Sequence, residues 1–229
     1  MADVVVLDVD GTLVDTNYHH ALAWWRALRR FEVSVPVWRL HRAIGMGGDR
    51  LVGAVAGDRG EAEHGDAVRA AWEEEFTPML AEVQPLPGVG DLLGTLRDRG
   101  CALVLASSGK PEHVGHYLDL IDGRRYAAAT ITSEDVAASK PAPDLVRVAL
   151  STVDAERAVM IGDTPWDCQS AHRAGLRCLT VRSGGFADHE LREAGALAVY
   201  DALTDLTAAL RPPAELPLTP ILSTVDNRG

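Results

Sequence analysis

Short apolar runs that recur along the chain, each followed by a helical pattern, restrict its fold more than any other feature. The runs VVVL (residues 4–7), CALVLAS (101–107), AAATIT (127–132), AVMIGD (158–163), RCLTVRS (177–183) and LAVY (197–200) carry little polar alternation. A strand without alternation is one covered on both faces. Between the runs, VGDLLGTLRDRG sets Val89, Leu92, Leu93 and Leu96 on one helical face, with Gly100 as a stop, and APDLVRVALSTV and DCQSAHRAG follow. Strands alternating with helices predict an α/β fold, a parallel sheet between two helical layers.

Residues 17–83 break this rhythm, because no strand pattern occurs there. YHHALAWWRALRRF places Leu22, Trp25 and Leu28 at helical spacing, and EHGDAVRAAWEEEFTPML does the same with Val68, Ala71, Trp72, Phe76 and Met79. The spacing predicts a helical subdomain inserted after the first strand, leaving through QPLPGV, where Pro85 and Pro87 stiffen the chain. The expected division is a core of residues 1–15 and 86–211, a helical cap of residues 16–85, and a proline-rich tail of residues 212–229. The tail holds Pro212, Pro213, Pro217 and Pro220, which exclude a regular helix and predict an extended, surface-lying or mobile segment. Trp24, Trp25, Trp38 and Trp72 are expected in the cap core.

Lys+Arg number 22 against 33 Asp+Glu, a net charge of −11 over 229 residues. That balance argues against a nucleic-acid-binding face, and it leaves room for a phosphorylated ligand held by local charge. Three scattered cysteines make neither a disulfide framework nor a zinc site. No membrane span and no signal peptide are seen, so a cytoplasmic monomer or homodimer with no membrane partner is expected.

The first run ends in DVDGT. Residues two apart on a strand point to one side, so Asp8 and Asp10 are expected together at the carboxyl edge, where open parallel sheets bind ligands. Two like charges there call for a divalent cation or a shared proton. Later strand ends add to the same edge. LASSGK supplies Ser107 and Ser108, SKPAPD supplies Lys140 ahead of a helix start at Pro141, and GDTPWD supplies Asp163 and Asp167. A hydroxyl near a helix start suits a phosphate oxygen, a lysine neutralises phosphate or carboxylate, and carboxylates suit Mg²⁺.

DVDGTLVD, LASSG, SKPAPD and GDTPWD together resemble the four ordered motifs of the haloacid dehalogenase-like superfamily, over about residues 3–200. VAASKPAPD is similar to the phosphoglycolate phosphatase and β-phosphoglucomutase branch. The resemblance implies a Rossmann-like core with an inserted helical cap. It implies that Asp8 is the nucleophile, forming an aspartyl phosphate, and that Asp10 is the general acid and then base, with Thr12 supporting their loop. Ser107, Ser108 and Lys140 would hold the phosphoryl group. Mg²⁺ would bind Asp8, the Asp10 carbonyl and Asp163, and Asp167 would orient water on the metal or Lys140.

The cap would choose the small phosphorylated metabolite. HRAIGMGGDRLV offers Arg42, Gly47 and Gly48, either as a Gly-rich loop reaching the substrate's far end or as a plain helix–helix turn. His20 stands where the mutase branch has a catalytic histidine, while Gly47 and Gly48 stand where those mutases have an arginine. Asp10 argues against a dehalogenase, and a cap without lysine argues against a phosphonatase. A Mg²⁺-dependent phosphatase similar to phosphoglycolate phosphatase is the leading expectation. A sugar-phosphate mutase and a non-catalytic phospho-ligand-binding protein are the alternatives. His113 and His116, three apart on a predicted helix, are expected to be solvated or capping.

Overall fold

The computed structural model describes residues 2–221. Six parallel strands appear where the apolar runs predict them: β1 (Ala2–Leu7), β2 (Ala102–Ala106), β3 (Ala127–Ile131), β4 (Ala155–Gly162), β5 (Cys178–Val181) and β6 (Ala196–Tyr200). Their order across the sheet is β3-β2-β1-β4-β5-β6. Period-two geometry divides each strand between two cores. Val5 and Leu7 join one apolar cluster with Leu103, Leu105, Val159 and Ile161, while Val4 and Val6 join the other with Val104, Ala106, Ala158 and Met160.

Nine helices surround the sheet among the described residues: α1 (Asn17–Arg29), α2 (Val37–His41), α3 (Gly48–Phe76), α4 (Val89–Asp98), α5 (Pro111–Leu120), α6 (Asp144–Thr152), α7 (Pro165–Arg173), α8 (Asp188–Glu193) and α9 (Leu203–Leu210). The leucines of α4 and α9 cover the first cluster, and Leu145, Val146, Cys168 and Ala171 of α6 and α7 cover the second. The fold is therefore the expected α/β, Rossmann-like arrangement. The chain winds outward through β2 and β3, then returns past β1 to lay down β4. The crevice at that reversal, between β1 and β4, is where such sheets bind ligands.

Helices α1–α3 fall in the stretch that lacks strand patterns. The predicted α3 face is buried at Val68, Ala71, Trp72 and Phe76. In α1 the buried face is Ala21, Trp24, Ala27 and Leu28, whereas Leu22 is exposed. Alanines let α1 approach α3 closely, and that contact overrides the choice of the largest side chains. α3 starts at Gly48, inside the stretch read as loop or turn, and departs from helical geometry at Gly57, whose φ is +76°. Trp24 and Trp72 are buried, but Trp38 is 67% exposed, because the five-residue α2 buries only Leu40.

Two other expectations change. The helix after Lys140 starts at Asp144, leaving Lys140 in the preceding loop. The C-terminal segment adds a short strand, β7 (Thr219–Pro220), antiparallel to Arg157 and Ala158 of β4. Residues 222–229 of the expected tail lie outside the described residues. No described helix is long and apolar enough to cross a membrane.

Leu96 is wholly buried in α4, within the first apolar cluster. Leu96→Ala should cost about 2–5 kcal/mol. A lower denaturant midpoint will check this, and an unchanged midpoint contradicts the packing described.

Candidate active site

β1 stops at Leu7, and the chain turns at once: Leu13 N–H donates to the Val9 carbonyl at 2.8 Å and Gly11 N–H to the Val14 carbonyl at 2.8 Å. Gly11 takes φ +75°, and a Cβ there would fall 2.3 Å from Asp163 Oδ2. Only glycine lets the loop come this close to β4. Asp8 and Asp10 thus stand in a tight turn beyond the strand, and they reach the same cavity with separate partners.

Asp8 is buried and accepts from Lys140 Nζ, itself 1% exposed. Lys140 also pairs with Asp167 Oδ1 at 2.7 Å. The Thr12 hydroxyl lies 3.1 Å from Asp8 Oδ2 and 2.9 Å from Asp163 Oδ1. Asp163 further accepts from Asn17 Nδ2 at 2.9 Å. Asp167 Oδ2 is held by the start of α7, accepting from the Thr164 hydroxyl at 2.6 Å and from the backbone N–H groups of Thr164 and Asp163. This reciprocal cap fixes one Asp167 oxygen and turns the other to Lys140.

Three buried carboxylates therefore face one ammonium. Burial pushes the Asp8 carboxyl up to about 7; Lys140 opposes the rise, and the charges of Asp167 and Asp10 add to it. Burial, with Asp8 and Asp167 nearby, pushes Asp163 well above the usual carboxylate range. Burial disfavours the Lys140 ammonium, but Asp167 and Asp8 outweigh it and hold the charge on. Ligand oxygens of Asp8, Asp163 and Asp167 lie within 4.8 Å of one another. An all-oxygen donor set with excess buried negative charge fits a hard divalent cation.

Asp10 has different neighbours. Its Oδ1 accepts from His20 Nε2 at 2.9 Å and Thr16 at 3.1 Å, and its Oδ2 accepts from Ser107 at 2.7 Å. Burial would raise this carboxyl, but His20, Ser107 and Thr16 outweigh it and hold it at about 2. His20 is fixed in turn by stacking on Phe76, with centroids 4.1 Å apart and planes 11° apart. Ser107 Oγ also accepts the Gly109 N–H at 2.8 Å, and the neighbouring Ser108 hydroxyl is buried without a partner.

A cavity of about 510 Å³ opens above these groups, lined by Asp8, Asp10, His20, Gly47, Gly48, Ser108 and Lys140 among others. Gly47 N–H donates to Ser139 Oγ at 3.1 Å, tying the α3 start to the loop that carries Lys140. Arg42 is outside the cavity, paired with Glu190 and lying 4.3 Å from the Phe186 ring centroid. The α2–α3 connection thus brings Gly47 and Gly48, but not Arg42, to the cavity wall. Thr16, Asn17 and the cavity walls were not legible in the sequence, since a Thr or Asn after a motif reads as a helix cap. His113 is buried against Phe76 and Trp72 instead of solvated, and His116 meets the Leu80 carbonyl at 3.0 Å instead of capping a helix. Neither joins an acidic cluster.

The profile of the haloacid dehalogenase-like hydrolases matches residues 2–175. The chain belongs to that family. Among its relatives is the phosphoglycolate phosphatase of Rhodospirillum rubrum, 30% identical over 220 residues, covering 90% of each chain. The protein CbbY of Cereibacter sphaeroides is 30% identical over 223 residues, covering 90% of this chain and 94% of that one. A hydrolase from Pseudomonas syringae has the same fold at TM-score 0.86 and 29% identity, covering 93% of this chain and all of that one. Family membership accounts for the carboxylate cluster at the sheet's reversal point, and metal use is general in this family.

A divalent cation in hundredfold excess over its Kd should raise the melting temperature of this hydrolase by about 5–10 °C. Chelator should reverse the rise, and Asp163→Asn should lose most of it. A melting temperature indifferent to divalent cations would rule out the cluster as a metal site.

Proposed function

We propose that this family member is a Mg²⁺-dependent phosphatase that hydrolyses a small phosphorylated metabolite through an aspartyl phosphate. The observation that carries the reading is the division of partners between two neighbouring carboxylates. Asp8 faces the ammonium and the acidic cluster, while Asp10 is bonded to His20, Ser107 and Thr16. Such a division lets one carboxylate attack while its neighbour handles protons. The phosphatase named among the relatives supports the same chemistry.

Asp8, Asp163 and the Asp10 carbonyl would hold Mg²⁺, with Asp167 close by. When bound, the ion would offset the repulsion between carboxylate and phosphate and stabilise charge on the phosphoryl oxygens. One oxygen of Asp8 attacks phosphorus, and the bond from phosphorus to the ester oxygen breaks. Lys140, Ser107 and Ser108 hold the transferring group by charge and hydrogen bonds. An anionic phosphoryl group arriving beside Asp10 raises its proton affinity. Asp10, protonated in that state, delivers its proton to the leaving oxygen, while His20 keeps that carboxyl group in place. In the second half, ionised Asp10 removes a proton from water. That water attacks the aspartyl phosphate, the bond between Asp8 and phosphorus breaks, and phosphate leaves. The proton that Asp10 took from water is the one it donates to the next leaving oxygen.

A mutase is not favoured. Gly47 and Gly48 occupy the place of the mutase arginine, and a Cβ on Gly47 would fall 2.6 Å from Ser139 Cβ. Three free, buried thiols suit a reducing interior, so we place the enzyme in the cytoplasm.

Asp8→Asn should abolish phosphate release from every ester while leaving the circular dichroism spectrum unchanged. Asp10→Asn should lower kcat by about a hundredfold or more. Release from 2-phosphoglycolate, sugar phosphates and a chromogenic aryl phosphate, with Mg²⁺ and then with chelator, is the decisive assay. Metal-independent release, or full activity in Asp8→Asn, would sink the mechanism.

A further inference from the structure

Resting on the phosphatase reading, we propose that the ester carries a neutral, polyhydroxylated, ring-sized body instead of the short carboxylate of 2-phosphoglycolate. Three features of the cavity above Asp8 lead there. The first is room. About 510 Å³ lies within the range of sites that enclose whole organic ligands, and a two-carbon ester would leave most of it to water.

The second is charge. Apart from Asp8, Asp10, His20 and Lys140, the ionisable lining groups are Arg69, Lys110, Asp49 and Glu73. Lys110 is paired with Glu73. Arg69 meets Glu61 and Asp66, each at 2.8 Å, and donates to the Gly48 carbonyl at 3.2 Å. Two carboxylates thus accompany two cations on the wall, and both cations are engaged. A second carboxylate on the ligand would find no unpaired cation among the described wall residues. It would have to displace Glu73 from Lys110 or lose its hydration with no cation to meet it. Arg42, which could have met such a group, is held outside by Glu190.

The third is the wall itself. Trp24 and Trp72 line one side, stacked with centroids 5.1 Å apart, and Ile44 and Met46 adjoin them. Together these side chains give the cavity an apolar wall for the C–H groups of a ring. Asp49 and Glu73 are acceptor-only groups with lone pairs left after meeting Ser139 and Lys110. Carboxylates beside indoles suit ligand hydroxyls, which donate to the one while the carbon skeleton lies on the other. A sugar and a cyclitol share this chemistry.

The test uses the full chain with Mg²⁺ and compares kcat/KM for p-nitrophenyl phosphate, glucose 6-phosphate, myo-inositol 1-phosphate, 2-phosphoglycolate and 3-phosphoglycerate. At least one ring ester should exceed both carboxylate esters by about tenfold or more. Which of the two ring esters leads tells a sugar from a cyclitol. Glu73→Gln releases Lys110 and should move the ratio of carboxylate to ring ester upward by about fivefold. Ring esters turned over no faster than 2-phosphoglycolate, with p-nitrophenyl phosphate hydrolysed, would overturn the inference and leave the phosphatase reading standing. An unmoved ratio in Glu73→Gln would overturn the charge argument. Failure to hydrolyse even p-nitrophenyl phosphate would remove the phosphatase reading, and the inference with it.

Discussion

Lys140 is the hinge of the charge balance on which this molecule depends. Its ammonium is buried between Asp8 and Asp167, and a third carboxylate, Asp163, stands beside them. Isolated buried charges are expensive, and a buried pair is tolerated only when the remaining lone pairs find donors. Thr12, Asn17 and the start of α7 supply those donors. The sheet supplies the rest: β1 and β4 run side by side with Leu7 paired to Ile161, so Asp8 and Asp163 leave adjacent strands one residue apart in register. Removing any of these supports would leave a charge in the interior with nothing to meet it.

The same arrangement explains which parts could be read without coordinates. All six parallel strands were legible as short apolar runs; the central strands β1, β2 and β5 are apolar because both faces are covered, whereas the edge strands β3 and β6 are only partly buried. The carboxylates, Ser107 and Lys140 were legible because strand ends bring them to one edge. The buried face of α1 was not, since alanine packing against α3 carries no amphipathic signature. The helix start after Lys140 was misplaced by proline, which marks a boundary without fixing its position.

Contacts between distant segments were the least legible class. Asn17 meets Asp163 across 146 positions, and Ser107 meets Asp10 across 97. Neither pair leaves a trace in local sequence, because each residue taken alone has an ordinary local use. His113 shows the converse. It was expected to be solvated or capping, yet Phe76 and Trp72 bury it. Aromatic clusters of this kind form from side chains whose partners are set by topology.

Beside the apolar contact of Trp72 and Phe76 with His113, the joint between α1–α3 and the rest of the fold includes polar pairs: Glu73 with Lys110, Asp49 with Ser139, Arg42 with Glu190, and His41 with the Gly184 carbonyl. Ion pairs at partly wet positions contribute little each and weaken as salt rises. A roof fastened this way is held by reversible clasps whose grip depends on the ionic medium. These fastenings therefore loosen together as ionic strength rises, whatever the chemistry beneath them.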